Sequence, residues 1–128
     1  MANGRVVAIY ISPVGESRTL VPEAHAYEGV GLKGDNSAVK VVTFVDYLLL
    51  RKKGIEYANS GANIVTEDID LTSLVGEYFS IDDAKFKGLE LDPDGRLVAE
   101  VYSTGWIRTR DEVVPPYKGP LLSPRCMC

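Results

Sequence analysis

Apolar residues along the chain fall into short segments, each about as long as a β-strand. The segment RVVAIYIS, residues 5–12, is rich in β-branched and aromatic residues and stops at Pro13, which predicts a strand followed by a turn. Residues 19–27 predict a weaker strand, in which Pro22 marks an edge position or a bulge. Residues 38–45, AVKVVTFV, have the clearest buried-strand pattern in the chain.

Two short helical segments interrupt the strand pattern. Asp46 stands where an N-cap is expected, YLLLRKK follows it, and Gly54 ends the segment. The basic residues of this helix fall at its C-terminal end, which the helix dipole favours. After a short strand over residues 62–65, Asp70 is the predicted cap of a single turn, LTSLV, which Gly76 closes.

The later part of the chain returns to strands. EYFSI, AKFKGLEL and RLVAEVY each have the length of a strand, and DPDG at residues 92–95 predicts a hairpin turn between the last two. Strands and helices do not alternate as they do in βαβ units. The predicted fold is therefore mainly β, a compact β-barrel with one or two short helices, over residues 1–114. Residues 115–128 form a proline-rich tail that we expect to be extended or loose.

Composition and charge narrow the class of protein. The chain has 128 residues, 45% of them hydrophobic and 25% charged, as in an ordinary single-domain globular protein. Its net charge of −4 argues against general nucleic-acid binding, which favours a basic face. No apolar run approaches the about 18 residues that a membrane span needs, and the first residues do not resemble a signal peptide. We therefore expect a cytoplasmic protein without a membrane partner.

Cysteine and histidine usage limits the possible chemistry. Cys126 and Cys128 lie within the last three residues, so they cannot tie distant segments together. His25 is the one histidine, which leaves no four-ligand zinc site of the usual kind in one chain. No G-x-S-x-G motif accompanies it, so the sequence does not indicate a hydrolase. We predict no metal site and no independent catalytic activity.

The segment GVGLKGD, residues 29–35, matches the glycine pattern of dinucleotide-binding loops. In those proteins a helix opens at the last glycine and its N-terminus holds the pyrophosphate. Here DNSAVKVVTFV follows, which predicts a turn and then a strand. The glycines are therefore interpreted as positive-φ residues in a tight connection between strands.

GVGLKGD fits another pattern better. Together with the strand VVAIYIS before it, the strand VVTFVD after it and the segment NIVTEDIDLTSLVGEYFSI, it resembles the MOSC domain, the C-terminal module of molybdenum-cofactor sulfurases. The closing stretch VAEVYSTGWIRTRDEV is similar to the last strands of that family. The resemblance covers roughly residues 5–114. It implies a β-barrel that handles the molybdenum cofactor (molybdopterin) or its sulfur.

The chain departs from the family at positions that carry chemistry. The cysteine that the family places after the strand AKFKGLEL is missing, and the loop there is shortened to residues 92–95. Ala62 stands where a basic residue often precedes the Asn-Ile-Val segment, and Asn36 replaces the usual Arg or His after Gly-Asp. An aspartate cannot carry a persulfide and is a poor substitute for a thiolate at molybdenum.

Two groups of residues are the candidate sites. Cys126 and Cys128, beside Arg125, are candidate sulfur carriers, because a nearby guanidinium favours the thiolate; the alternative is that they are incidental tail residues. The cofactor-binding candidates lie in the GLKGD and ANIVT loops and on a late strand, where Trp106, Arg108 and Arg110 are expected to alternate onto one face. They are Lys33, Gly34, Asp35, Asn63, Thr66, Trp106, Arg108 and Arg110.

Three functional hypotheses remain open. The first is a sulfur carrier or cofactor-binding protein that binds an anionic pterin and works with a cysteine desulfurase or a molybdoenzyme, as the resemblance implies. The second is a non-catalytic MOSC-like binding or interaction module that has lost the thiol site. The third is an unrelated small barrel.

Overall fold

The computed structural model describes residues 3–13, 15, 18–35 and 40–115. In these ranges the chain forms eleven strands, one α-helix and two single 3-10 turns, at Tyr57–Asn59 and Leu71–Leu74. The first part contains β1 (Gly4–Ile11), β2 (Thr19–Val21), β3 (Glu23–Tyr27), β4 (Gly31–Leu32), β5 (Val42–Asp46), α1 (Tyr47–Lys53) and β6 (Ile64–Glu67). The second part contains β7 (Tyr78–Ile81), β8 (Ala84–Leu91), β9 (Leu97–Ser103), β10 (Gly105–Arg108) and β11 (Glu112–Val114).

Seven strands close into a barrel. Their order is β1-β6-β5-β9-β8-β7-β11, and β11 pairs back onto β1, with Gly4 opposite Val113. The pair β5–β6 is parallel, and α1 lies in the connection between these two strands. The prediction of a mainly β protein, built as a compact barrel with a short helix, is confirmed.

The predicted strand over residues 19–27 was wrong in its continuity. The structure has two strands there, β2 and β3, which separate at Pro22. Strand β2 pairs with β1, whereas β3 belongs to a second sheet of order β10-β3-β4. Proline has no backbone N–H to give to a ladder, so the chain changes sheets at the residue where it cannot continue the first one.

Apolar side chains form two clusters on opposite sides of the barrel wall. The larger cluster fills the interior around three aromatic rings, Phe44, Phe79 and Phe86, whose centroids lie 5.3 to 5.5 Å apart. The smaller one lies between the barrel and α1, and its buried members are Ala8, Tyr10, Val45, Leu50, Ala62 and Val65. Helix α1 therefore covers a part of the outer wall.

A β-bulge in β1 places two consecutive side chains on the outer side of the barrel. Val6 lies opposite Thr66 and Ala8 opposite Val65, so Val7 is an extra residue without a partner on β6. Val6 packs in the interior, whereas Val7 and Ala8 both pack on the outer side. A bulge re-aims side chains in this way, and here it opens the outer face of β1 next to the bulge.

Local signals in the sequence are reproduced closely. Asp46 caps α1 by accepting a hydrogen bond from the Leu48 amide at 2.9 Å, and Gly54 ends it with φ of 68°. Asp70 caps the turn at Leu71–Leu74. None of the helices in the described part of the chain has the length and apolar character needed to cross a membrane.

Candidate functional site

Two of the loops that the sequence singles out meet at Asp35 and Asn63. Asp35 follows the turn after β4, and Asn63 immediately precedes β6. The Asn63 Nδ2 donates a hydrogen bond to Asp35 Oδ2 at 3.1 Å, and Asp35 Oδ1 accepts one from the Ser12 amide at 2.6 Å. The end of β1 and the GLKGD and ANIVT loops are therefore held together by one carboxylate.

Asn63 is nearly fully buried and uses its side-chain amide at both ends. Its Oδ1 accepts from the backbone N–H of Thr43 at 3.1 Å and from the hydroxyl of Thr43 at 3.3 Å. Its Nδ2 also donates to the backbone carbonyl of Tyr10 at 3.1 Å. The residue therefore joins β1, β5 and the loop before β6, and a buried amide with these partners is a structural centre of the site.

Arg18 lies against this centre. Its guanidinium carbon is 4.8 Å from the centroid of the Tyr10 ring. Its Nε and Nη2 atoms are buried, and neither has a hydrogen-bond partner among the described residues. Burial lowers the pKa of Arg18, while Tyr10 and Asp35 act in the opposite direction and Arg96 adds to the lowering. An arginine remains cationic despite such a shift, because its ordinary pKa is so high.

Arg96 supplies a second guanidinium near the first. Its Nε contacts Asp92 Oδ2 at 2.6 Å and its Nη1 donates to the carbonyl of Ser60 at 3.2 Å. It packs so closely on Gly61 that a Cβ atom there would overlap the guanidinium. Hydrogen bonds and ion pairs therefore fix Arg96 and partly neutralise it, whereas Arg18 has no ion pair among the residues that the structure describes.

We call Tyr10, Arg18, Asp35, Asn63 and Arg96 the Arg18 cluster. A buried N–H without a partner is rare in folded proteins, because leaving it unsatisfied costs about 1–3 kcal/mol, or more for a charged group. An anion with two oxygen atoms would satisfy both donors of Arg18, in the planar, paired geometry that guanidinium groups favour. In the described ranges no group of three or more His, Cys, Asp or Glu residues could hold a metal ion. The chemistry that this arrangement favours is therefore anion binding.

The predicted site residues are only partly brought together. Gly34, Asp35 and Asn63 lie at the Arg18 cluster or next to it, since Gly34 packs against Ile11 at the end of β1. Lys33 is exposed, and its backbone amide bonds to the His25 carbonyl at the end of the second sheet. Thr66 is fully buried and donates to the carbonyl of Val45 at 3.4 Å, so its side chain is part of the barrel wall.

The predicted row of Trp106, Arg108 and Arg110 does not exist as one strand face. Strand β10 ends at Arg108, and Arg110 lies in a turn with φ of 77°. Trp106 stacks on His25, with ring centroids 4.5 Å apart. Arg108 contacts Glu23 at 3.1 Å and Asp82 at 3.7 Å. The row was inferred from a period of two, which fails where the chain turns before Arg110.

The structure tests the predicted role of the glycines in GVGLKGD but not that of the two cysteines. Gly29 and Gly34 adopt φ of 71° and 89°, which confirms that the glycines of GVGLKGD serve a tight connection between strands. Cys126 and Cys128 lie outside the described residues.

Sequence comparison alone gives no relatives: no protein-family model matches the chain, and no curated protein matches it. Its structure is similar to the crystal structure of the YUAD protein from Bacillus subtilis, with a TM-score of 0.74 and 17% identity, over 91% of this chain and 98% of that one. It is also similar to a protein described only as hypothetical, with a TM-score of 0.72 and 11% identity, over 92% of this chain and 70% of that one. The chain shares their fold. Identities this low carry no information about activity.

The sequence interpretation missed Arg18 and Arg96. Arg18 precedes a weak strand, and nothing local distinguishes it from a surface arginine. Arg96 follows the DPDG turn, so it was interpreted as an ordinary residue of a hairpin. One signal was available for Arg96: an acidic residue four positions before it, Asp92, indicates an ordered side chain. The importance of Arg18 can be inferred only from its burial and contacts in the structure.

Proposed function

We propose that the protein is a MOSC-like binding protein for an anionic ligand of the molybdopterin class, held at the Arg18 cluster. The proposal joins two independent observations. The sequence resembles the MOSC family over residues 5–114, and the loops that carry this resemblance adjoin a guanidinium whose buried donors have no partner in the part of the chain that the structure describes. These unpartnered donors of Arg18 carry the proposal, because they indicate what kind of ligand could bind, whereas the resemblance concerns the fold.

Arg18 is suited to a phosphate monoester. Its buried Nε and Nη2 donate to no oxygen of the residues that the structure describes. Asp35 opposes an anion at this place, but its carboxylate is already engaged by the Ser12 amide and by Asn63. A phosphate oxygen that reaches Nε and Nη2 would replace a desolvation cost by charge-assisted hydrogen bonds.

The residues present fit one end of molybdopterin better than the other. Arg18 would hold the phosphate, and the nearby Tyr10 ring is an aromatic neighbour for a flat group. At the dithiolene end, the described residues include no cysteine that could supply a thiolate ligand to the molybdenum of the complete cofactor. The proposal is therefore binding, for storage or transfer, and it includes no reaction step at the metal.

The sulfur-carrier hypothesis remains a separate prediction. It depends on Cys126 and Cys128, which lie outside the described residues. Incubation with a cysteine desulfurase and cysteine, followed by intact-mass measurement without reductant, tests it directly. A gain of one sulfur that disappears in Cys126→Ser or Cys128→Ser supports a persulfide on the tail. No gain in any sample contradicts the hypothesis and leaves the binding proposal untouched.

The binding proposal is tested with molybdopterin released from a heat-denatured molybdoenzyme. The protein is mixed with this extract and passed over a size-exclusion column, and the pterin that co-elutes is oxidised and measured by its fluorescence. We expect co-elution with the wild type and with Arg108→Gln, and at least a roughly tenfold loss with Arg18→Met, because a charge-assisted contact is removed. Arg108→Gln is the matched control, since it removes an arginine already paired with Glu23 and Asp82.

Inorganic phosphate and phenyl phosphate are tested in parallel by amide chemical shifts. Shifts centred on Tyr10, Arg18 and Asp35 are expected for both. If phosphate binds at these residues but molybdopterin does not co-elute, the site binds another phosphate compound and the assignment to molybdopterin is wrong. If Arg18→Met and Arg108→Gln behave alike with every probe, the Arg18 cluster is not the binding site.

A further inference from the structure

A cavity lies on the outer wall of the barrel, next to the β1 bulge. It has a volume of about 520 Å³, within the range of about 300–1000 Å³ that is usual for small-molecule sites. Its surface is largely apolar, with two tyrosines and one arginine among the residues that line it. They are Val7, Ala8, Tyr10, Leu20, Val21, Pro22, Tyr57, Thr109 and Arg110.

The bulge and two backbone hydrogen bonds form this cavity. Because Val7 is the extra residue of the bulge, it faces outward together with Ala8. The Arg110 amide donates to the Val6 carbonyl at 2.8 Å, and the Thr109 amide donates to the Pro22 carbonyl at 3.1 Å. The turn between β10 and β11 is therefore fixed to the bulge on one side and to the β2–β3 junction on the other. Such a cavity is largely formed before a ligand arrives.

Arg110 gives the cavity a positive charge. Its φ of 77° lies in the left-handed region, which favours glycine or asparagine, yet the position holds a long cationic side chain. No ion pair of the described residues involves Arg110. The groove that continues past Arg110 is lined by Arg5 and Glu67, which lie opposite each other on neighbouring strands. Among the residues that line the cavity itself, Arg110 is the charged one.

We propose that this cavity binds a small amphipathic carboxylate, whose apolar body lies between Leu20 and Tyr57 and whose carboxylate pairs with Arg110. The assignment follows from the apolar walls, the volume and Arg110, the charged residue of the cavity lining, which forms no ion pair with the described residues. It does not depend on the proposed function, because the cavity shares only Tyr10 with the Arg18 cluster. A ligand without a carboxylate would leave Arg110 unpaired. A ligand without an apolar body would leave the apolar side chains of the cavity in contact with water.

Three probes separate the two contributions: octanoate, 1-octanol and acetate. Each is titrated into the ¹⁵N-labelled protein and followed by amide chemical shifts. We expect octanoate to shift the amides of Val7, Leu20, Val21 and Thr109, 1-octanol to shift the same amides with an affinity roughly tenfold lower, and acetate to shift none of them below the millimolar range.

Variants of Arg110 and Leu20 test the arrangement. Arg110→Asn suits a left-handed residue and is expected to weaken octanoate by about tenfold while 1-octanol is unchanged. Arg110→Lys retains the charge and is expected to retain most of the octanoate affinity. Leu20→Ala removes part of an exposed wall and should weaken octanoate and 1-octanol alike. Arg108→Gln, at the end of β10, removes a side chain that pairs with Glu23 and Asp82 and does not line the cavity, so it should change neither.

Two results would overturn the proposal. One is octanoate binding that shifts amides away from the cavity. The other is an octanoate affinity that is the same in Arg110→Asn as in the wild type, with both proteins folded by their amide spectra. Phosphate titrations of the same variants keep the two sites apart: Arg110→Asn should leave phosphate binding at Arg18 unchanged, and Arg18→Met should leave octanoate binding unchanged.

Discussion

Asn63 and Asp35 are joined by a hydrogen bond of 3.1 Å between Nδ2 and Oδ2, although they come from different loops of the barrel. The bond matters beyond its own strength, because Asn63 also holds Thr43 and the carbonyl of Tyr10. One buried amide thereby sets the positions of the strands around Arg18. The site and the stability of the barrel rest on the same residue.

Replacement of Asn63 by alanine should destabilise the protein by about 2–4 kcal/mol. The change leaves the Thr43 amide and the Tyr10 carbonyl without a side-chain partner in a buried place. Urea unfolding followed by circular dichroism measures the effect. Asn59→Ala, at an exposed asparagine of the 3-10 turn, is the control and should stay within about 0.5 kcal/mol of the wild type. Equal effects of the two variants would contradict the structural role of Asn63.

Replacement of Arg18 by methionine should not destabilise the empty protein. The wild type buries two guanidinium donors that have no partner among the described residues, and methionine retains much of the apolar stem while removing that cost. We expect an unfolding free energy equal to the wild type or up to about 1 kcal/mol higher, together with loss of phosphate binding. A loss of more than about 1 kcal/mol in phosphate-free buffer would mean that Arg18 stabilises the fold and is not held for a ligand.

The Asp92 carboxylate should contribute stability that acid removes. Burial by itself would raise the pKa of Asp92, but hydrogen bonds from the backbone and side chain of Arg96, the charge of Arg96 and the Asp94 amide lower it overall. A group whose folded pKa is lowered stabilises the fold above its unfolded pKa, about 3.9, and loses this contribution as pH falls through the folded value. The wild type should therefore exceed Asp92→Asn in unfolding free energy at pH 7, and the difference should shrink below about pH 4. A difference that is constant from pH 7 to pH 3 would contradict the lowered pKa.

Two glycine-to-alanine changes should differ in size. At Gly88, a Cβ atom would overlap the carbonyl oxygen of Leu74, at the place where the Leu71–Leu74 turn packs on β8. We expect a loss of about 2–3 kcal/mol or more, since backbone has to move. At Gly54, with φ of 68° and open space around it, the cost should be about 1 kcal/mol. Urea unfolding compares them, and a larger loss for Gly54→Ala would show that the close approach at Gly88 is not tight.

Much of the fold could be predicted because its signals are local. Asp46 and Gly54 bound α1 by capping chemistry, and DPDG is a turn whichever strands flank it. Strand periodicity located most of the barrel. It failed at residues 19–27, because a proline can either end a strand or be tolerated at its edge, and only the pairing partners decide which happens.

The site was less predictable because its chemistry depends on contacts between distant residues. Asp35 and Asn63 were expected on one face and do meet. The burial of Thr66 and the left-handed turn at Arg110 depend on the register of the barrel strands. That register cannot be predicted from the sequence. Arg18 stands out because its buried Nε and Nη2 have no hydrogen-bond partner among the described residues. No sequence pattern indicates this. The MOSC resemblance and the role of Cys126 and Cys128 remain predictions.

The pairing of β1 with β11 has a consequence for how the protein folds. Closure of the ring depends on the pairing of Gly4 and Arg5 with Val113 and Glu112, so it joins residues that are far apart in the sequence. Until then β1 has β6 on one side, while on its other side β2 covers only residues 9–11 and the part that later pairs with β11 is an open edge. Folds dominated by such long-range pairings fold slowly, and their unpaired edges invite association. We therefore expect refolding to be slow and its yield to fall as protein concentration rises.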